Sequence, residues 1–440
     1  MRFRFFALPH STGSARETSA RYPGEQIAVR IEGLAARTRY TVRATRIIMG
    51  ATWSSTLVTD ADDGGVIATE SARPLAGTYA EPDVDGLFWS MRATSDDAGN
   101  LGDAEIAFCV ECDGAVMGDA RLALHRVAPG VRVEPVGAEH GLVATLYLPV
   151  AASEFPRRRV PAIIALGGSE GGSESATRTA MAFAHEGFAG LAVTYFGAPG
   201  VPAMLREVPL EYFERALRFL ENHEAIMPDR IGVMGASRGG ELALLLGATF
   251  PELVAVVALV PSPYRWCSIE GPASAAWTHR GVPLPYLTAF PPLRVTAMVD
   301  PPRKIIAATP AFERALDRAS DQALAAALSP IERTTGPILL ASGDDDQVWP
   351  STRMAQVAVA HLAHHASRDR TRDECLVYPH AGHGATSMPG EPTTVTASFH
   401  PLAGMWFERG GTPAGNARAQ RDAWTRVLAF CRRHLASTTA

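Results

Sequence analysis

The feature that most constrains this chain is the pentapeptide Gly235-Ala236-Ser237-Arg238-Gly239, set between the apolar stretch IGVM and the helix-forming stretch GELALLLGA. A serine between glycines at that spacing fits a sharp strand-to-helix elbow, where bulkier neighbours would collide with the backbone. The elbow exposes a hydroxyl at the end of a strand, which is what a serine nucleophile needs. A chance Gly-Ser-Gly turn requires neither the strand before it nor the helix after it. Ser237 is therefore the candidate nucleophile.

The rhythm around the elbow agrees with a parallel sheet. Helical stretches at 176–187 and 210–223 alternate with strand-like stretches at 188–196 and 253–261. In the second helix the apolar residues fall at 210, 213, 217 and 220, the spacing of one buried face. Alternation of this kind predicts a mostly parallel sheet covered on both faces, an α/β class. Residues 26–130 read differently. IAVRIEGL (27–34), RYTVRATRI (39–47) and AEIAFCVECDGA (104–115) are short strands, separated by turn clusters such as DADDGG (60–65). They predict a β-sandwich. At 440 residues the chain exceeds one core. The expected division is an N-terminal extension at 1–25, the sandwich at 26–130, connecting strands and a linker at 131–155, and the α/β domain at 156–440. Residues 384–420 read as a long surface loop before a last helix at 418–435.

A serine nucleophile needs an acid and a base, which follow it in that chain order in α/β sheets with such elbows. GPILLASGDDDQVWP (336–350) supplies a strand, a turn and three aspartates. Asp346 is the candidate acid because it abuts the next element, with Asp345 its main rival and Asp344 a turn residue. ECLVYPHAGHG (374–384) supplies the base. His383, after Ala-Gly, can project back to the site, whereas His380 reads as a surface histidine. The oxyanion of an acyl-transfer intermediate needs two N–H donors. Arg238, next to the nucleophile, offers one, and Gly168 or Ser169 in the turn LGGSEGG (166–172) offers the other.

Other signals point elsewhere or nowhere. Cys109 and Cys112 lack the second pair of a zinc knuckle, and five scattered cysteines argue against a disulfide framework. His361, His364 and His365 share helical spacing but read as a solvated helix end. Trp266, Trp277, Tyr286 and Phe290 suit either a cap over an acyl chain or plain core. A net charge of −5 and a pI near 6.2 give no basic field for nucleic acid. No run approaches the ~18–20 apolar residues of a membrane span. Pro9 and His10 interrupt the short N-terminal apolar run, so a cytoplasmic setting is expected. Lys304 is the only lysine among 41 basic residues, a choice that suggests a GC-rich, bacterial genome.

With these residues in view, the chain resembles the family of type I acyl-CoA thioesterases and bile acid-CoA:amino acid N-acyltransferases. ATWSS and DGLFWSMR carry the resemblance in the N-terminal part. PLEYFERALRFLENH, IGVMGASRGGE, SPIERTTGPILLASGDDDQVW, YPHAGH and ARAQRDAWTRVLAFCRRHL carry it in the C-terminal part, in family order. The resemblance implies an immunoglobulin-like β-sandwich followed by an α/β-hydrolase domain. It also implies nucleophile, acid and base at Ser237, Asp346 and His383. The family's transferases carry Cys at the nucleophile and its thioesterases Ser, so Ser237 leans toward hydrolysis. The turn LGGSEGG departs from the family pattern, and so does the loop at 384–400.

The expected activity is thus hydrolysis of an acyl-CoA thioester through a serine acyl-enzyme. CoA is substrate, arginines are its expected phosphate contacts, and no metal or redox cofactor is called for. Transfer to an amine or alcohol, with CoA or an acyl carrier protein as donor, is the alternative. A carboxylesterase or peptidase, or a non-catalytic binding protein, follow behind, the last disfavoured by an intact Ser/Asp/His set.

Overall fold

Alternation of apolar and polar residues builds the first unit. The computed structural model describes residues 1–10, 13–94, 101–150, 159–289, 294–299, 303–365, 370–385 and 387–435. Met1–Val127, Ser387–Val395 and Thr412–Thr425 form one unit, and Ala128–Thr386, Thr396–Gly411 and Arg426–Ala440 the other. In the first, a four-stranded and a seven-stranded sheet share one core. Phe5, Ile27, Val29 and Ile31 from the smaller sheet cluster with Val42, Ala44, Leu57, Phe108 and Leu122 from the larger. The long hairpin Arg39–Ile48/Ala51–Asp60 lies in the larger sheet. DGLFWSMR supplies a single helical turn, Gly86–Trp89, whose four residues are all buried. A Cβ at Gly86 would stand 2.4 Å from the Tyr79 ring.

Residues 1–25 are not an extension. Arg2–Leu8 pairs antiparallel with Gln26–Glu32 along its whole length and buries Phe5 and Ala7. The alternation RFRFFAL is a half-buried strand, a period that a search for continuous apolar runs passes over.

The second unit is built on an eight-stranded sheet. Its strands are β1 (Arg132–Pro135), β2 (Val143–Leu148), β3 (Val160–Leu166), β4 (Ala189–Thr194), β5 (Ile226–Ala236), β6 (Leu253–Leu259), β7 (Ile338–Gly343) and β8 (Glu374–Tyr378). Their order is β1-β2-β4-β3-β5-β6-β7-β8, parallel from β4 onward, with β2 antiparallel to both neighbours. This is the α/β-hydrolase arrangement. Residues 131–155 therefore contain the sheet's first two strands. β1 is short and largely exposed at a sheet edge, so it carries no apolar pattern. The expected boundary at 155/156 lies outside the described residues.

Helices cover both faces. Leu217 and Leu220 of α2 (Glu211–Asn222), Leu242 and Leu246 of α3 (Arg238–Thr249, after the elbow) and Ala358 of α6 (Ser351–His364) join Ile164, Val233 and Leu340 in one cluster. On the other face α1 (Glu174–His185) lies so close that a Cβ at Gly190 would stand 2.3 Å from the Ala180 carbonyl. Two further helices, α4 (Thr309–Arg318) and α5 (Asp321–Ala327), precede β7.

The stretch 384–420 is not one loop. Ala397–His400 and Met405–Glu408 form a hairpin that pairs with Arg303–Ala307. The last helix, α7 (Pro413–Leu435), begins five residues before the expected 418. Thr412 caps it: its Oγ1 accepts from Gly415 N–H at 3.0 Å and its carbonyl from Asn416 N–H at 2.8 Å. Thr-Pro is a readable start signal. The hairpin has none, since its strands are four residues each and their partner is about a hundred residues upstream.

Candidate active site

The elbow forms because nothing larger than glycine fits around it. A Cβ would stand 2.2 Å from Gly239 O at Gly235, 2.4 Å from Gly167 O at Gly239, and 2.7 Å from Leu259 O at Gly240. Ser237 itself sits at φ 58°, ψ −123°, a conformation that persists only where the surroundings over-determine it. Its N–H donates to Leu259 O of β6 at 2.9 Å, and its carbonyl accepts from Glu241 N–H of α3 at 3.0 Å. The hydroxyl is half-buried and holds no hydrogen bond to a described residue. Catalytic contacts are commonly loose before substrate binds.

Asp346 and His383 come together from the ends of β7 and β8. His383 Nδ1 lies 3.0 Å from Asp346 Oδ1 and 2.9 Å from Oδ2. The carboxylate is 1% exposed against 13% for the imidazole. Its oxygens also accept from Val348 N–H (3.0 Å), Trp349 N–H (3.3 Å) and the Ser351 hydroxyl (2.6 Å). A carboxylate bonded on this many sides holds the imidazole in one tautomer, Nδ1–H toward Asp346 and Nε2 available. Trp349 fixes the ring from the side, edge-on at 6.3 Å. The two neighbouring aspartates serve the backbone instead. Asp344 accepts from His380 N–H at 2.7 Å, and Asp345 from Gly411 N–H at 2.9 Å and Gln347 Nε2 at 2.6 Å. His380 is exposed.

The expected oxyanion residues behave unequally. Arg238 sends its side chain into the core, where Nη2 donates to the carbonyls of Trp266 (3.0 Å) and Cys267 (3.2 Å) and Nη1 pairs with Glu241 at 3.0 Å. Its N–H, in the first turn of α3, has no described partner. Gly168 N–H donates to the Glu170 carboxylate at 3.0 Å. Ser169 N–H has no described partner, and its hydroxyl meets His400 Nε2 at 2.9 Å.

Glu241 is fully buried, and burial raises its pKa against the pull of Arg238. It accepts from Trp277 Nε1 at 2.7 Å and Trp266 N–H at 3.3 Å. Removing one partner of such a pair leaves an uncompensated charge, at about 3–5 kcal/mol. Arg238→Met is expected to lower unfolding free energy by that amount in chemical denaturation. Arg238→Met with Glu241→Gln should recover part of it, because no lone carboxylate is left inside.

Trp266 and Trp277 are core, each 1% exposed. Tyr286 is half-buried and donates to Pro272 O at 3.0 Å, while Phe290 lies outside the described residues. His361 pairs with Glu332 at 2.8 Å, and His364 Nδ1 lies 2.7 Å from Ala360 O. The cysteines at 109 and 112 are free. No three His, Cys, Asp or Glu side chains among the described residues are placed to hold a metal. No described helix is long and apolar enough to cross a membrane.

The family model for the C-terminal region of BAAT and acyl-CoA thioester hydrolases matches residues 208–437, and the model for their N-terminal region matches 24–136. The chain belongs to this family. Acyl-coenzyme A thioesterase 6 of Mus musculus is 30% identical over 422 residues, 93% of this chain and 94% of its own. The peroxisomal succinyl-coenzyme A thioesterase of Mus musculus is 29% identical, covering 94% of each chain. Acyl-coenzyme A amino acid N-acyltransferase 1 of Mus musculus is 27% identical over 93% of this chain and 95% of its own. Among solved structures, that of TT1662 from Thermus thermophilus aligns with 70% of this chain and 99% of its own, at TM-score 0.40 and 18% identity.

In this member of the acyl-CoA thioester hydrolase and BAAT family, local reading passed over four residues near the site. Glu241 carries a signal, standing three residues after Arg238 on one helix. Glu170 sits inside the turn already singled out. His400 ends the hairpin's first strand and Arg409 follows its second, and only the fold brings them in. Burial draws the Arg409 guanidinium below its usual range, with Asp346 and Glu170 opposing. Its carbonyl accepts from His383 N–H at 2.7 Å.

Proposed function

We propose that the protein hydrolyses acyl-CoA thioesters through a serine acyl-enzyme, with Ser237, His383 and Asp346 as nucleophile, base and acid. The observation that carries this reading is the contact of His383 Nδ1 with both Asp346 oxygens after the parallel strands β7 and β8, at the same end of the sheet as a serine on a strained elbow after β5. His383 Nε2 takes the Ser237 proton as Oγ attacks the thioester carbonyl. The tetrahedral oxyanion is met by the N–H groups of Arg238 and Ser169. Collapse expels the CoA thiolate, which receives the proton from His383. Water then attacks the serine ester by the same route in reverse, releasing acid and free Ser237. The sequence of steps uses no metal or redox cofactor. The donor is a small-molecule acyl thioester, with a carrier-protein thioester as the rival. We read the two-sheet unit as an immunoglobulin-like sandwich, on its core and its family match.

The family holds both hydrolases and an N-acyltransferase, so the acceptor needs its own test. Wild type with acyl-CoA, with and without glycine or taurine, is expected to give free acid and free CoA thiol. Ser237→Cys should keep acylation and shift products toward the amide, because a thioester intermediate is attacked well by amines. Wild type that already makes mostly conjugate would replace hydrolysis by transfer.

A further inference from the structure

Two side chains engage the turn after β3, one from within it and one from a distant strand. Glu170 takes the Gly168 N–H at 3.0 Å, so that donor is engaged. His400, at the end of the strand Ala397–His400, meets the hydroxyl of Ser169 at 2.9 Å through Nε2. Its tautomer is set by its own loop. Nδ1 lies 3.1 Å from Ala403 N–H and accepts from it, so the neutral ring carries its proton on Nε2 and donates to Ser169 Oγ. Burial holds the His400 pKa below the ordinary value, with Glu170 the facing charge that opposes it. Phe407 packs edge-on against the ring at 5.9 Å. With one lone pair of Oγ occupied and no other described partner, the Ser169 proton is free to donate. The turn abuts the elbow: a Cβ at Gly168 would stand 3.4 Å from Ala236 O, and one at Gly239 2.4 Å from Gly167 O.

We propose that the Ser169 hydroxyl is a catalytic oxyanion donor, and that His400 is the positioning residue that aims it. As Ser237 Oγ adds to the carbonyl, the displaced electron pair collects on oxygen, and the Ser169 O–H donates to it beside the backbone N–H groups. No bond to Ser169 forms or breaks. A donor aimed only at the developing charge lowers the barrier without tightening substrate binding. This inference rests on the acyl-enzyme reading, but not on the thioester.

The test is steady-state hydrolysis of p-nitrophenyl acetate alongside an acyl-CoA, with thermal melts of every variant. Ser169→Ala is expected to cost about 10²-fold in kcat at unchanged KM and melting temperature. His400→Ala should also lower kcat, and His400→Gln, whose amide N–H₂ reaches the Nε2 position, should restore most of it. In the Ser169→Ala background, His400→Ala should cost nothing further, since the two act as one unit. The proposal is overturned if Ser169→Ala keeps kcat within twofold of wild type, or if the loss appears in KM instead. It is equally overturned if His400→Ala costs the same factor in both backgrounds. Cleavage of the nitrophenyl ester without any acyl-CoA turnover would sink the thioesterase reading and leave this test intact.

Discussion

Ser237→Ala is expected to fold like wild type and to lose on the order of 10⁴–10⁶ in turnover, because the triad acts as a unit and no neighbour can stand in for the nucleophile. Folding should be spared because the hydroxyl makes no hydrogen bond to a described residue and contributes no packing that alanine lacks. Free thiol released from acyl-CoA, followed with a thiol reagent, measures the loss, and circular dichroism checks the fold. A variant keeping a tenth of wild-type activity would remove Ser237 from the mechanism. Oxyanion donors and substrate binding alone set the residual rate above that in water.

Asp346→Asn is expected to have the next largest effect, a fall of about 10⁴-fold in kcat. The amide oxygen, in the place of Oδ1, keeps the Val348 and Trp349 N–H groups, but its N–H₂ then stands in the place of Oδ2, where the Ser351 hydroxyl and His383 Nδ1–H now donate. The imidazole must then turn over or take the other tautomer, and Nε2 no longer receives the serine proton. Asp345→Asn is the control. Its two oxygens accept separately from Gly411 N–H and Gln347 Nε2 at an exposed turn, so the amide oxygen keeps one of these bonds and the loss of the other falls on a solvated side chain away from His383. Activity should change little. The reverse ranking would move the acid one residue upstream and break the reading of the β7 loop.

Much of the site was legible because its parts are local. The elbow needs glycine at 235 because of Gly239, four residues on, a requirement printed in the pentapeptide, whereas glycine at 239 is required by the Gly167 carbonyl in the turn after β3. Asp346 and His383 each follow a short apolar strand, and chain order alone ranks them. Choosing Asp346 over its two neighbours drew on the Gln-Val-Trp-Pro that follows. The structure supplies the reason, since Val348 and Trp349 turn their N–H groups onto that carboxylate alone.

What the sequence by itself determined is therefore the set of elements with strong short-range patterns: the alternating strands and helices of the α/β unit, the elbow, and the order of the three proposed site residues along the chain. Only the tertiary structure decided where weakly patterned segments go. Arg2–Leu8 becomes a strand of the four-stranded sheet because Gln26–Glu32 offers it a full antiparallel partner. The hairpin at 397–408 exists because it pairs with 303–307, and it then carries His400 to Ser169, 231 residues away in the chain. Those pairings are made between segments far apart in sequence, and loop-closure entropy and side-chain fit weigh them against every other pairing in the fold. A window of neighbouring residues contains neither quantity.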